Sequence, residues 1–268
     1  MFGYTTPPKK KRGEREGKGN PSGLAINTST TETVFNKIAQ NISRNSMANV
    51  ATERIVLPWN PKKIAYKVRN VLSSEECRQL IEATESFGYE RAMVNVGGGR
   101  QILNTDYRDS FRFMTDNKGL AEAIYNRAIF QNTEVLDGLK SLHNGRSAPV
   151  ELNERLRFLK YHENQKFDMH ADGCYRRPSS HQNHGDRSYF TILIYLNKEY
   201  RGSTRLFSGY GYNEDAQTYD VLPEDGMVFI HQHDILHAGM EISNGRKYCI
   251  RSDVMCRWVE DEQKKKQG

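Results

Sequence analysis

The second half of the chain is dominated by short segments with the composition of β-strands. After about Glu151 they recur at residues 156–162, 189–197, 226–231 and 247–255. The run at 189–197 (YFTILIYLN) is rich in β-branched and aromatic residues, which is typical of a buried strand. Several short strands separated by turn residues predict a mainly β fold, a sandwich or a barrel.

Two amphipathic helices are predicted ahead of this β-rich part, where they can pack outside it. The first follows Ser73, whose side chain can cap the free N–H groups of the first turn, and Gly88 is expected to end it. The second covers residues 118–130 (KGLAEAIYNRAIF).

Composition excludes some classes of protein. No apolar run approaches the roughly 20 residues that a membrane-spanning helix needs, so no membrane contact is expected. The four cysteines are scattered without CxxC spacing, which argues against a zinc ribbon or a disulfide framework and favours a reducing compartment. The sequence therefore predicts an intracellular protein.

The formal net charge of +6 is concentrated at the N-terminus. Residues 7–12 (PPKKKR), with cations at Lys9, Lys10, Lys11 and Arg12, fit a nuclear-import signal bound by an import receptor, or else a solubilising basic tail. The expected location is the nucleus or the cytoplasm. We expect residues 1–50 to form a disordered basic arm, 51–150 a helical and strand support, 151–259 the catalytic core and 260–268 a charged tail.

One short motif has the chemistry of a metal site. His170 and Asp172 lie two residues apart, so in a strand both face the same side, and His237 follows a later strand. Two imidazoles and one carboxylate on one face of a metal ion form the facial triad of non-haem Fe(II) oxygenases, which leaves other positions open. Lys247 and Arg251 lie on one face of the next strand, and a buried cation there requires an anion.

The order and spacing of several blocks resemble the prolyl 4-hydroxylase-like family of 2-oxoglutarate- and Fe(II)-dependent dioxygenases. These blocks are residues 71–77 (VLSSEEC), 159–172 (LKYHENQKFDMHAD), 187–197 (RSYFTILIYLN), 201–207 (RGSTRLF), 236–239 (LHAG) and 245–248 (GRKY). In 201–207, an arginine and a serine replace the first glycine and the glutamate of the family's Gly-Gly-Glu-Thr turn.

The resemblance implies a double-stranded β-helix (a cupin-like jelly roll) with flanking helices. It also implies Fe(II) bound by His170, Asp172 and His237, with 2-oxoglutarate as cosubstrate, O2, and ascorbate as an optional reductant. Lys247 would pair with the distal carboxylate of 2-oxoglutarate, and Arg246 or Arg251 are alternatives for that role. Tyr161 and Thr191 match positions that often line the cosubstrate pocket.

Hydroxylation of a protein, peptide or small-molecule substrate, with release of succinate and CO2, is the activity that the resemblance implies. Two other functions remain open. One is a jelly-roll binding module without turnover, and the other is a metal-dependent hydrolase that uses the same three ligands. Nucleic acid ranks last among substrates because the core is only slightly cationic and has no aromatic base-stacking motif. Neither the substrate nor the oligomeric state can be read from the sequence.

Overall fold

The computed structural model describes residues 28–45, 49–97, 100–210 and 216–259. The predicted import signal at residues 7–12 and the predicted tail at 260–268 lie outside the described residues. None of the helices in the described ranges combines the length and the apolar character that crossing a membrane requires.

The described residues form four α-helices, two short helical turns and seventeen strands. The helices are α1 (Thr28–Arg44), α2 (Ser74–Phe87), α3 (Lys118–Tyr125) and α4 (Thr133–Lys140), with a π-helical turn at Asn126–Phe130 and a 3-10 turn at Leu142–Gly145. The strands before residue 151 are β1 (Ala51–Arg54), β2 (Ala65–Arg69), β3 (Glu90–Arg91), β4 (Val94–Asn95), β5 (Gln101–Ile102), β6 (Phe111–Asp116) and β7 (Ser147–Leu152). The later strands are β8 (Arg155–Tyr161), β9 (Phe167–His170), β10 (Arg187–Tyr195), β11 (Tyr200–Arg201), β12 (Thr204–Phe207), β13 (Thr218–Val221), β14 (Val228–Gln232), β15 (His237–Gly239), β16 (Asn244–Gly245) and β17 (Lys247–Trp258).

Two antiparallel sheets form the body of the fold. The major sheet has the order β1-β2-β14-β10-β17-β8-β6-β3, with β7 paired to β17, and the minor sheet has the order β13-β12-β15-β9. A hydrophobic cluster that includes Leu159, Tyr195 and Phe229 of the major sheet and Leu206 and Val221 of the minor sheet lies between them. The fold is mainly β, with a jelly-roll core, as the sequence predicts.

The two faces of the major sheet have different partners because side chains alternate along a strand. On β10, Phe190, Ile192 and Ile194 belong to the cluster that packs against the helices, whereas Thr191 and Leu193 line the interior cavity. The helices therefore support one face of this sheet and leave the other face free to line a site.

Both predicted helices are present, and their ends have clear causes. The Ser73 side chain accepts a hydrogen bond from the Glu76 backbone N–H, while the Glu76 carboxylate accepts one from the Ser73 N–H, which is a capping box. Gly88 caps the helix at a φ of 86°, where a residue without a side chain is favoured. The predicted helix at 118–130 is α3 followed by the π-helical turn.

The expectation that residues 1–50 form a disordered arm is wrong from Thr28 onward. That stretch contains α1, in which Phe35 and Ile42 are fully buried and belong to the cluster under the major sheet. Asn36 of α1 also accepts a hydrogen bond from the Asn117 side chain at 2.9 Å. The low apolar content of the flanking sequence concealed a helix that is ordered by tertiary packing.

Candidate active site

The three predicted metal ligands meet at the open edge of the minor sheet. His170 ends β9 and His237 begins β15, and the two residues are direct partners in the antiparallel pairing of these strands. Asp172 follows β9, and its backbone N–H donates to the His233 carbonyl at 2.8 Å. The available ligand atoms of the three side chains all lie within 4.8 Å of one another. The structure therefore brings together two imidazoles and one carboxylate in a set that fits a single divalent metal ion.

Both imidazole rings are oriented by the backbone. Nδ1 of His170 lies 2.7 Å from the Asp168 carbonyl, and Nδ1 of His237 lies 2.9 Å from the Ile235 carbonyl. Nδ1 must carry the proton to donate to a carbonyl, so Nε2 of each ring keeps its lone pair. Burial lowers the pKa of His170 to about 3, with a further contribution from His237, which keeps the ring neutral as a metal ligand must be.

The Asp172 carboxylate is held ionised. Burial alone would raise its pKa, but Arg251, whose Nη2 lies 2.9 Å from Oδ1, and the surrounding histidines hold the pKa well below its ordinary value. The Thr191 hydroxyl donates to Oδ2, the oxygen that lies 3.6 Å from His237 Nε2. Asp172 therefore offers a charged ligand atom to the space between the two imidazoles.

A buried chain of hydrogen bonds extends from this carboxylate into the protein. The Thr191 hydroxyl donates to Asp172 and lies 3.0 Å from His233 Nδ1, and His233 Nε2 lies 2.9 Å from the Ser188 hydroxyl. Ser188 in turn accepts from the Tyr175 backbone N–H at 2.8 Å. One proton arrangement satisfies every group: His233 is neutral, donates through Nδ1 and accepts at Nε2. Because burial lowers the His233 pKa, the neutral form is favoured.

These hydrogen bonds make Thr191 a positioning residue for the metal site. We expect Thr191→Val to lower Fe(II) affinity about 10-fold to 100-fold, because an outer partner that orients a ligating carboxylate contributes on that scale. Calorimetric titration of Fe(II) without oxygen measures this. Ser252→Ala is the control, since it removes another buried hydroxyl, one that bonds to the Asn153 carbonyl at 2.7 Å. Equal Fe(II) affinity in Thr191→Val and the wild type would contradict the assignment.

Lys247 begins β17 and points into the interior from the major sheet. Its side chain is buried, and within the described residues no carboxylate lies within 4.0 Å of its ammonium group. Instead, Nζ lies 5.3, 5.6 and 6.0 Å from the ring centres of Tyr161, Tyr195 and Tyr200. Burial lowers the pKa of Lys247. Aromatic faces stabilise a buried cation only partly. An anion bound in this pocket would therefore stabilise the Lys247 ammonium group further.

Tyr200 adds an unpartnered donor beside Lys247. Its hydroxyl is buried and has no hydrogen-bond partner, whereas the Tyr195 hydroxyl donates to Thr204 at 2.7 Å. An unpaired buried hydroxyl costs free energy unless a ligand satisfies it. A carboxylate in this pocket would meet both the ammonium group and this hydroxyl, so the pocket fits the distal end of 2-oxoglutarate.

Tyr200→Phe is therefore expected to change stability and ligand affinity in opposite directions. Removing the unpaired hydroxyl should raise the free energy of unfolding by about 1 kcal/mol, while the Kd for 2-oxoglutarate rises about 10-fold. Denaturant unfolding and calorimetric titration measure the two effects. The control is Tyr195→Phe, which removes a partnered hydroxyl and should destabilise the protein. A loss of stability in Tyr200→Phe with unchanged affinity would contradict this role.

The other cations considered for the cosubstrate are differently placed. Arg251 forms ion pairs with Asp172 at 2.9 Å and with Asp253 at 3.2 Å. Arg246 is exposed on the turn before β17. Lys247 is thus the candidate without an acidic partner, and Arg251 instead holds the carboxylate of the triad.

The two predicted pocket-lining residues lie at different parts of the cavity. Tyr161 is the direct strand partner of Lys247 and is buried beside it, and burial raises its pKa to about 12. Thr191 also lines the cavity, where its hydroxyl donates to Asp172 and lies 3.0 Å from His233 Nδ1.

The sequence patterns do not identify every residue of the site. Tyr195 shares a face of β10 with Thr191, so strand alternation could have identified it. Tyr200 comes from the separate short strand β11, and no local pattern marks it. His233 lies in the segment after β14, and its link to Thr191 depends on the pairing of distant strands.

One cavity of about 600 Å³ joins these parts. It is lined by the triad, by Lys247 and Tyr161, and by residues of the β4–β5 hairpin. Its size is that of a pocket for a small ligand, and it opens to solvent beside the hairpin. The metal site and the cation pocket therefore belong to one chamber between the two sheets.

The chain is similar in sequence to known oxygenases. Residues 156–252 match the model of the 2OG-Fe(II) oxygenase superfamily. Probable prolyl 4-hydroxylase 6 of Arabidopsis thaliana is 26% identical over 244 residues, which cover 83% of this chain and 77% of that protein. Prolyl 4-hydroxylase 5 of the same plant is 24% identical over 214 residues, covering 72% of this chain and 68% of that protein.

Two solved structures of prolyl hydroxylases match large parts of the chain at TM-scores below 0.5. A viral collagen prolyl hydroxylase from Paramecium Bursaria Chlorella virus-1 matches 71% of this chain and 95% of its own, with 17% identity and a TM-score of 0.45. A prolyl hydroxylase from Trichoplax adhaerens, in complex with a hypoxia inducible factor peptide, matches 87% of this chain and 94% of its own, with 13% identity and a TM-score of 0.46.

The family match and the triad define the class of protein: the chain is an oxidoreductase, a 2-oxoglutarate- and Fe(II)-dependent dioxygenase. Within this class it is similar to the prolyl 4-hydroxylases, at 26% identity to one curated relative and 24% to another.

Proposed function

We propose that this protein hydroxylates a prolyl residue in a protein or peptide substrate, with Fe(II) bound by His170, Asp172 and His237. When bound, iron, 2-oxoglutarate and O2 supply the oxidation: a substrate C–H becomes C–OH, and 2-oxoglutarate becomes succinate and CO2. The observation that carries the proposal is the joint presence, in one cavity, of a three-ligand set and a buried cation without an acid.

The protein's own residues would bind and orient the reactants. Lys247 and Tyr200 would hold the distal carboxylate of 2-oxoglutarate, while the three tyrosine rings exclude water from that end of the pocket. Arg251 and Thr191 would keep Asp172 ionised and correctly aimed. These contacts would fix the positions of 2-oxoglutarate and of the Asp172 carboxylate before the reaction. Such positioning is what the protein itself contributes to catalysis when a cofactor supplies the chemistry.

The prolyl substrate is supported by the relatives, whose names describe prolyl 4-hydroxylases. The test is a screen for succinate release across peptides, small molecules and single-stranded oligonucleotides, with mass spectrometry of the substrate. We expect a proline-containing peptide to gain one oxygen for each succinate released. Oxygen gain on an oligonucleotide alone, or on no peptide, would contradict the proposal.

The two alternative functions make different predictions for the same protein. A binding module would bind ligands but release no succinate. A metal-dependent hydrolase would be active with Zn²⁺ and would not need 2-oxoglutarate. The buried, unpaired Lys247 favours the oxygenase, because a hydrolase that uses water has no need of a cation for a dicarboxylate.

A further inference from the structure

The active-site cavity carries far more positive than negative charge. Five cations and two carboxylates line it: Arg108, Arg112, Arg157, Lys247 and Arg251, against Asp172 and Asp253. Iron contributes two positive charges and 2-oxoglutarate two negative charges, so loading the proposed cofactors leaves this excess unchanged. An anionic substrate would balance this excess.

Two of these arginines form no close ion pair, although Glu90 on β3 is the strand partner of Arg112. In the part of the chain that the structure describes, no carboxylate lies within 4.0 Å of Arg108 or Arg112. Arg108 Nε donates to the Ser110 hydroxyl at 3.2 Å, and its guanidinium lies 4.6 Å from the Phe167 ring centre. Both side chains are half-buried, so water screens their charges only in part.

Arg157 extends the group toward the metal site. It is the strand partner of Arg251, so two cations lie side by side on adjacent strands. Its one acidic neighbour, Asp253, lies 3.4 Å away and also pairs with Arg251. Like charges placed directly opposite one another destabilise a sheet, and Asp253 is shared between the two, so a bound anion would add stability here.

Arg112 completes a row across three strands. On β6 it is the partner of Leu159, which lies two residues after Arg157 on the same face of β8. Burial, together with the charge of Arg108, lowers the Arg112 pKa, and burial with the charge of Arg251 lowers that of Arg157. A guanidinium group presents its N–H donors in one plane, which matches the planar geometry of a carboxylate. Several such groups in one cavity wall therefore suit a carboxylate ligand.

We propose that the substrate carries a carboxylate close to the oxidised carbon, and that Arg108, Arg112 and Arg157 bind it. This inference deepens the proposed function and rests on it. An acidic side chain beside the target proline, or the free carboxylate of a small acid, supplies the same chemistry. A peptide is favoured because the β4–β5 hairpin beside the cavity exposes Met93 and Ile102, which extends the contact surface beyond the chamber.

A nucleic acid is the less suitable anion. Binding of a single strand needs a basic groove that follows the backbone, together with bases stacked on exposed aromatic rings. Here the arginines gather in the wall of the cavity that holds the triad. An oligonucleotide therefore serves as a competitor in the test.

The test measures binding by calorimetry with Fe(II) and 2-oxoglutarate present and oxygen absent, so that no turnover occurs and the Lys247 pocket is filled. Three peptides share a central proline flanked by glutamates, glutamines or lysines. We expect the glutamate peptide to bind about 10-fold to 100-fold more tightly than the glutamine peptide, and the lysine peptide to bind most weakly. This comparison uses the wild-type protein and needs no variant.

Variants show which arginines cause the preference for the glutamate peptide. Arg112→Gln is expected to reduce the glutamate peptide's advantage to less than about 3-fold, and Arg157→Gln should act in the same direction. The matched control is Arg155→Gln, on the same strand, where the arginine is exposed and pairs with Asp116 at 2.9 Å. N-acetylproline and its amide are compared in the same way, and a preference confined to this pair identifies the anion as a free small acid.

Equal binding of the three peptides, together with equal binding of N-acetylproline and its amide, would overturn the proposal. Tightest binding of the lysine peptide, or of the oligonucleotide, would also overturn it. A preceding titration of 2-oxoglutarate alone separates this failure from that of the proposed function. If 2-oxoglutarate binds but no probe shows a preference for negative charge, only the substrate inference fails.

Discussion

The His170→Ala variant should release succinate from 2-oxoglutarate at less than about one-hundredth of the wild-type rate. Loss of an outer partner alone costs 10-fold to 100-fold, so loss of a metal ligand should cost at least as much. The variant should also bind Fe(II) more weakly. Succinate release at saturating Fe(II) and 2-oxoglutarate is the measurement, with Fe(II) affinity from calorimetry.

His184→Ala provides the control for this prediction, because His184 is exposed in the loop before β10. It should retain the wild-type rate. If His170→Ala released succinate as fast as the wild type, the metal assignment would be wrong. If His184→Ala lost activity to the same degree, the effect would not be specific to the triad.

Lys247→Met should raise the Kd for 2-oxoglutarate by about 100-fold. The variant removes the only charged partner proposed for the distal carboxylate, and a buried charge-assisted contact is worth about 2–3 kcal/mol. In the absence of ligand, the same variant should be more stable by about 1–2 kcal/mol, since methionine fills similar volume without a desolvated charge. Calorimetric titration and denaturant unfolding measure the two effects.

The stability difference between the wild type and Lys247→Met should depend on pH. Burial lowers the pKa of Lys247 in the folded state below its ordinary value of 10.5. Between the two pKa values the unfolded chain binds a proton that the folded chain has lost, so wild-type stability rises with pH. Below both values the full cost of the buried charge is present. The advantage of the variant should therefore be constant at lower pH and shrink as pH approaches 10.5.

Arg246→Met is the matched control, because Arg246 is the exposed neighbour of Lys247. The family resemblance also allows Arg246 as the cation that pairs with 2-oxoglutarate. It should bind 2-oxoglutarate as the wild type does. Weak binding in Arg246→Met together with normal binding in Lys247→Met would reverse the assignment of the cation.

The residues of the triad could be placed from sequence because their geometry is nearly local. His170 and Asp172 are set by the two-residue repeat of an extended chain, and His237 follows a recognisable strand. Lys247 and Arg251 were likewise found as cations on one face of a strand. Asp253 lies two residues after Arg251 on β17, so alternation also places this acid beside Arg251. What alternation could not show is the contact of Arg251 with Asp172, which forms only when the two sheets face each other.

The missed features depend on long-range packing. Tyr200 reaches Lys247 from a two-residue strand, and His233 reaches Thr191 across the pairing of β10 with the segment after β14. Helix α1 was hidden by its polar neighbourhood, because only a few of its side chains, such as Phe35 and Ile42, are buried in the cluster under the major sheet. Local propensity is weak for such a helix, and tertiary contacts decide its presence.

We propose that one chamber binds Fe(II) through the triad and 2-oxoglutarate through both the metal and Lys247. The most direct measurement is an optical titration without oxygen, in which Fe(II) and then 2-oxoglutarate are added to the protein. We expect a visible charge-transfer band that appears only when both are present, that saturates at one equivalent of each, and that is absent in His170→Ala. A wild-type protein that binds Fe(II) and shows no band with 2-oxoglutarate would contradict it.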